Sequence, residues 1–307
     1  MSDAATHTYR TVDVAVRGGA LRVGVWDPVG PATADVLAIH GVTASHLAWP
    51  FVVERLPGVR VIAPDLRGRG RSNGVTGEAG MAAHSDDLAA VLDALGVTRA
   101  TVVGHSMGAF VAVVFAHRHP DRVARLVLVD GGLPLDVPEG LTPDELVTRI
   151  LGPTAARLSM RFADVDAYLD FWRGHPAFRQ AWTPELERYL AYDLVPDGAV
   201  LRPATSYATT AEDTADMNTG TALPDALAAL RHPTLLLTAP RGLLDEEPGL
   251  YAPDHLERIL AAHPDVRHRR IEGCNHYTIV MSPRGADAVS GALVRELESA
   301  DAGVAGA

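Results

Sequence analysis

Ala100-Thr101-Val102-Val103-Gly104-His105-Ser106-Met107-Gly108 is the stretch on which the reading of this chain turns. Ala100–His105 is a short apolar run of the length of a buried strand, and from Met107 the pattern becomes helical. At the junction, Gly104-His105-Ser106-Met107-Gly108 matches G-x-S-x-G. A strand that turns sharply into a helix puts the middle residue in a strained conformation. The flanking residues must then be small, and Gly104 and Gly108 meet that need. The hydroxyl of Ser106 is expected to project above the strand ends, with the helix N-terminus beneath it. Five letters alone would describe any glycine-flanked serine in a turn; the strand before and the helix after make Ser106 a candidate nucleophile.

The same rhythm extends on both sides. Val12–Val16 and Leu21–Trp26 read as a leading hairpin across Gly18-Gly19. Val36–His40, Val59–Pro64 and Arg125–Asp130 read as further strands, and Trp49–Leu56, Met81–Leu95 and Met107–His117 as helices between them. Strands alternating with helices imply a mostly parallel sheet with helices on both faces. From about Leu133 to Pro224 the strand signal is weak. That segment reads as several helices and holds nine of the seventeen aromatics, so it is expected to be a helical cap inserted between two strands of one sheet. Strands return at Thr234–Thr238 and Val266–Glu272. A helix around Ala286–Glu298 closes the fold, and Ser299–Ala307 is expected to fray. The expected domains are a core of 1–132 with 225–307, and a cap of 133–224.

A serine hydroxyl needs a base and a place for the negative oxygen that acyl transfer creates. Of thirteen histidines, His276 in Gly273-Cys274-Asn275-His276-Tyr277 follows the last strand, where parallel sheets carry their chemistry. His105 adjoins Ser106 in sequence, so its side chain is expected to point away from it. Backbone N–H groups of Met107 and of Val42, in the loop His40-Gly41-Val42-Thr43, are the expected oxyanion donors. The acid that orients the base has two candidates in the chain order Ser, Asp, His: Asp130, at the end of its strand, and Asp245, in the loop after Thr234–Thr238.

Composition excludes more than it selects. The chain of 307 residues is long enough for one large α/β domain with an insertion. All 27 basic residues are arginine, which removes Schiff-base chemistry, pyridoxal phosphate attachment and a P-loop lysine. A net charge of −11 argues against nucleic acid and anionic membrane as partners. The runs Arg67–Arg71 and Arg267–Arg270 lack interleaved aromatics and read as solvated loop or edge residues. One cysteine, Cys274, precludes an internal disulfide and reads as a small buried filler. Met1–Arg10 lacks the apolar region of a signal peptide, and no run has the length of a membrane span, so a cytoplasmic location is expected. No metal-site spacing is present.

His40-Gly41, the run Asp65-Leu66-Arg67-Gly68-Arg69-Gly70-Arg71-Ser72, the turn at Ser106 and Gly273–His276 together resemble the α/β-hydrolase superfamily, in its capped esterase and lipase-like form. With the strand order they cover the chain apart from the insertion. The resemblance implies an eight-stranded sheet with one antiparallel strand, no cofactor, a structural loop at Asp65–Ser72 and a two-step acyl-enzyme mechanism. Members with an aspartate nucleophile are dehalogenases or epoxide hydrolases, and Ser106 argues against both. One departure touches the acid. Relatives usually place it about five residues past the penultimate strand's last core residue, which here is Gly242; Asp245 comes three residues later, followed by Glu246 and Glu247. Other relatives put it at the end of the strand after the nucleophile's, where Asp130 stands, and that placement is preferred. The expected function is hydrolysis of an ester or lactone of a small, largely apolar substrate, by a monomer or homodimer. A thioesterase or a carbon–carbon bond hydrolase would use the same residues. A non-hydrolytic receptor and a cofactor-free oxygenase or perhydrolase are the rivals from other classes.

Overall fold

The computed structural model describes residues 6–138 and 140–304. In chain order its strands are β1 His7–Val16, β2 Gly19–Pro28, β3 Ala34–Ile39, β4 Val59–Pro64, β5 Ala100–His105, β6 Val123–Val129, β7 Leu194–Asp197, β8 Val200–Pro203, β9 Thr234–Thr238 and β10 Val266–Arg270. Eight of them form one sheet in the order β1-β2-β4-β3-β5-β6-β9-β10. β2 runs antiparallel to both neighbours, and every other pairing is parallel.

The alternation of side chains along each strand explains the layering. Val102, Leu126, Leu128 and Leu236 belong to one buried cluster with Leu88, Val91, Phe110 and Val113, from the helices Met81–Ala94 and Met107–Arg118. Their chain neighbours Val103, Val127, Val129 and Leu237 belong to a second cluster with Ala286, Val289 and Leu293, from the helix Pro283–Val304. The central strands are thus covered on both sides. Burying each such side chain contributes about 1.5–3 kcal/mol, before the cost of ordering it.

Several elements differ from the sequence expectation, each for a local reason. β1 starts earlier than expected, at His7, and β2 extends past both expected ends, over Gly19–Pro28, because exposed polar residues there hide the alternation. The expected helix Trp49–Leu56 is a 3-10 turn, His46–Ala48, followed by one helical turn, Pro50–Val53, before Pro57-Gly58 ends the run. A helix over Pro253–Ala262, between β9 and β10, lay outside the expected elements. The closing helix continues to Val304, where fraying from Ser299 was expected; the expectation for 305–307, like that for Met1–Ala5, falls outside the described residues.

Between β6 and β9 the chain forms the helices Pro143–Leu151, Pro153–Arg157, Val165–Arg173, Pro184–Tyr192, Tyr207–Thr219 and Ala222–Ala228. It also forms a hairpin of β7 and β8, concealed because each strand is only four residues long and contains a proline, Pro196 or Pro203. The aromatics of this insertion pack mainly on one another. Tyr168 stands 4.8 Å from Phe162 and 6.3 Å from Trp172, and Trp172 5.6 Å from Phe178, all four buried. The helix Tyr207–Thr219 docks on the core through its acids. Gly80 offers no side chain to cap the helix Met81–Ala94, and Asp213 and Asp216 accept the N–H groups of Gly80 and Met81, each at 2.7 Å. Carboxylates there satisfy orphan donors and complement the helix dipole.

Candidate active site

β5 enters the turn and the helix Met107–Arg118 leaves it, with Ser106 between them at φ 55°, ψ −125°. A non-glycine residue held there stores about 1–3 kcal/mol of strain, so the surroundings must enforce it. They do so by backbone-to-backbone approach. A Cβ on Gly104 would lie 2.2 Å from the Gly108 carbonyl oxygen, one on Gly108 2.1 Å from that of Ile39, and one on Gly131 2.3 Å from that of Ser106. Ser106 N–H also donates to the Val129 carbonyl at 2.9 Å.

His276 arrives from the turn after β10, and its Nε2 lies 3.0 Å from Ser106 Oγ. On the other side of the ring, Nδ1 lies 2.7 Å from Asp130 Oδ2. Asp130 is fully buried at φ 47°, just past β6, and its N–H donates to the Leu237 carbonyl at 2.7 Å. Its second oxygen, Oδ1, accepts the Ala239 N–H at 3.1 Å. Carboxylate, imidazole and hydroxyl therefore form one hydrogen-bonded line, carried by the chain just past β6, β10 and β5.

The other acids of the sequence analysis lie elsewhere. Asp245 accepts from Asn275 Nδ2 at 2.9 Å and faces Arg241 Nε at 3.0 Å. Glu246 accepts the Leu244 N–H at 2.7 Å, within its own loop, and Glu247 is exposed. Asp245 still bears on the histidine through its neighbour. Asn275 accepts the N–H groups of Tyr277 and Thr278 through Oδ1 and donates to the Ala177 carbonyl at 2.9 Å, which fixes the turn carrying His276. That role had no signal in the sequence beyond the adjacency of Asn275 and His276.

Val42 and Met107 line the same cavity as Ser106 and His276. Met107 is the first residue of its helix, so its N–H has no acceptor within the helix. The loop with Val42 is pinned by His40, whose Nδ1 donates to the Gly41 carbonyl at 2.7 Å while Nε2 accepts the Leu66 N–H at 2.9 Å. Burial pushes the His40 imidazole down to about 4, so it stays neutral. His105 turns from the Ser106 hydroxyl to the His276 carbonyl, 2.7 Å from its Nε2. Burial, reinforced by the charge of His276, pushes it down to about 3. Cys274 is buried, and burial raises its thiol above the ordinary value.

The rest of the lining is mainly apolar, with Phe110, Leu135, Ile150, Leu151, Leu243 and Leu250, and includes the hydroxyls of Thr43 and Thr214. Of the insertion's nine aromatics, Tyr189 alone stands among the described lining residues, with Phe110 and Tyr277 from the rest of the chain. The aromatic density of the sequence therefore marks the insertion's own core. Among the described residues that line the cavity there is no arginine, aspartate or glutamate. Among the described residues no group of three or more His, Cys, Asp and Glu could hold a metal ion, and no helix is long and apolar enough to cross a membrane.

A family model described as alpha/beta hydrolase fold matches residues 36–283. This chain belongs to that family. The new alpha/beta hydrolase is 43% identical to the lipase LipV of Mycobacterium tuberculosis over 116 residues, which are 38% of this chain and 43% of that protein. It is 34% identical, over 43% of its length and 49% of the other's, to a 2-hydroxy-6-oxononadienedioate/2-hydroxy-6-oxononatrienedioate hydrolase of Paraburkholderia phymatum. It thus spans less than half the length of either curated relative. Among solved structures, that of E-2-(acetamidomethylene)succinate hydrolase superposes with a TM-score of 0.76, at 22% identity, over 95% of this chain and 100% of that one. At that identity the likeness speaks for the fold alone.

Proposed function

We propose that this alpha/beta hydrolase is a serine hydrolase that cleaves a carboxylic ester or lactone of a small, uncharged, largely apolar substrate. The observation that carries the proposal is the line from Asp130 through His276 to Ser106, ending at a serine on a strained turn. In this reading His276 takes the proton of Ser106 as its oxygen attacks the acyl carbon. The N–H groups of Val42 and Met107 receive the oxyanion. His276 then gives the proton to the leaving oxygen, and a water activated by the same imidazole releases the acyl group. Asp130 holds the ring with its Nδ1 proton inward, so that Nε2 faces the serine. The segment 133–224 serves as a cap over the pocket.

The uncharged lining supports a neutral substrate. A dicarboxylate, such as the substrates named for the Paraburkholderia relative, would lose its hydration in this cavity without meeting an arginine there. The test is labelling with a fluorophosphonate, read by peptide mass spectrometry on folded and heat-denatured protein, followed by turnover of paired esters with and without a terminal carboxylate. An adduct on Ser106 that requires the fold, absent in Ser106→Ala, with faster turnover of the neutral esters, is the expected result. No adduct on folded protein would favour a receptor or oxygenase, and faster turnover of the acids would overturn the substrate class.

A further inference from the structure

The loop after β3 is held from behind by a buried cation that the chemistry above does not use. Arg69 has no exposed surface. Its Nε donates to the Val42 carbonyl at 2.7 Å. One terminal nitrogen donates to the Arg67 carbonyl at 3.0 Å and to the carboxylate of Asp213, and the other lies 3.8 Å from the sulfur of Met107. A single guanidinium therefore touches both residues read as oxyanion donors. Asp213 is equally buried, on the helix Tyr207–Thr219, and also accepts from Gly80 N–H at 2.7 Å and meets His84 Nε2 at 3.0 Å. Burial alone would raise its carboxyl, but the charges of His84 and Arg69 hold it well below the usual carboxylate range. Thr214 and Met217, on the same helix, line the substrate cavity.

We infer that Arg69 is a positioning residue for the oxyanion hole, and that Asp213 ties it to the helix lining the substrate cavity. This inference rests on the oxyanion reading of Val42 and Met107. An oxyanion hole works because its donors are aimed before the reaction begins. Holding the Val42 carbonyl fixes the peptide plane that follows Val42, and with it one side of the residue whose own N–H is read as an oxyanion donor. A planar guanidinium can grip a carbonyl, a carboxylate and a sulfur in one plane, which a lysine ammonium does not reproduce. The pair of Arg69 and Asp213 couples two parts of the chain 144 residues apart, so a shift of the cavity-lining helix is felt at the donors.

The test uses the full chain. Arg69→Met and Asp213→Asn are made together, so that no unpaired charge is left buried, and Arg69→Lys, which keeps a cation beside Asp213 but not the planar grip, is made alone. Turnover of a neutral ester, inhibition by a trifluoromethyl ketone that mimics the tetrahedral adduct, and melting temperature are measured for each. The double variant is expected to lose about 10- to 100-fold in kcat, with KM within about twofold and a parallel loss of ketone affinity. Arg69→Lys is expected to lose less, with the same split. A purely structural pair would lower the melting temperature and leave kcat unchanged well below it. If the double variant does not fold, Arg69→Lys decides. A folded variant with kcat and ketone affinity within twofold of the parent overturns the assignment. Failure of the fluorophosphonate to label Ser106 in the parent would instead remove the oxyanion reading itself.

Discussion

Replacing Asp130 by asparagine tests the site most sharply, because the structure dictates how the new amide must sit. Asp130 accepts on both oxygens, from His276 Nδ1 at 2.7 Å and from the Ala239 N–H at 3.1 Å. An asparagine can accept on only one side. If its NH2 faced Ala239, two donors would oppose each other, and a backbone N–H cannot become an acceptor. The amide therefore turns its oxygen to Ala239 and its NH2 to His276. An imidazole can comply, by accepting at Nδ1 and carrying its proton at Nε2. That tautomer points a proton at Ser106 and cannot receive one. The fold is kept and the base is lost. The same change in other Ser-His-Asp triads costs about 10⁴ in kcat, so a loss of about 10³- to 10⁴-fold is expected here, about 4–5.5 kcal/mol of transition-state stabilisation. The assay is kcat/KM on a neutral chromogenic ester, beside the rate of fluorophosphonate labelling. Asp245→Asn is the control: its carboxylate meets Asn275 and a partly exposed arginine, and about fivefold or less should be lost. If Asp130→Asn stays within tenfold of the parent while Asp245→Asn falls a thousandfold, the relay runs through the other acid and the argument from geometry is wrong.

Gly108→Ala should destabilise the protein by about 3 kcal/mol or more, since its methyl would meet the carbonyl oxygens of Ile39 and His40 at 2.1 and 2.7 Å; Gly74→Ala, with nothing within 4 Å, is the neutral comparison, and equal melting temperatures would refute the packing account. Acid should weaken the fold through its buried histidines. His40, His105 and His175 are pushed down to about 4, 3 and 4 by burial, with smaller contributions from neighbouring charges, so between about pH 6.5 and 4 the unfolded chain binds protons that the folded chain refuses. Stability is therefore full above about pH 6.5 and falls as pH drops, by about 1.4 kcal/mol per pH unit for each histidine near pH 5. Denaturant melts at pH 7, 6 and 5 check this, and a flat midpoint would contradict it.

Much of the core was legible in the sequence because its signals are local. Short apolar runs bounded by turns mark β3, β4, β5 and β9, and Gly104 and Gly108 mark a turn that admits no side chain. The glycines also disclosed where backbones meet, although not which backbones. What the sequence hid is set by distant partners. The preference for Asp130 over Asp245 rested on strand position, and no local pattern shows that Ala239 would occupy its second oxygen. Arg69 sat inside a run read as a solvated or structural loop, and Asp213 in an unremarked helix; their pairing exists only in three dimensions. The aromatics of the insertion were visible as a density, but density does not tell a ring that lines a pocket from one that fills a core. In the fold, Trp172 packs on both Tyr168 and Phe178, and of the insertion's aromatics Tyr189 alone stands among the described lining residues.

The position of Asp130 also bears on how this protein could change over generations. In the reading proposed above, the proton relay is anchored on a central strand, and the segment after β9 is relieved of it. That segment still presents Leu243 and Leu250 to the cavity. In that reading the carboxylate that orients the base and the side chains of Leu243 and Leu250 sit on separate stretches of chain. Side chains at 243 and 250 can be exchanged, by drift or in a combinatorial library, without disturbing the carboxylate that orients the base. A hydrolase arranged in this way can widen its repertoire by varying one short connection while its reactive centre is inherited intact.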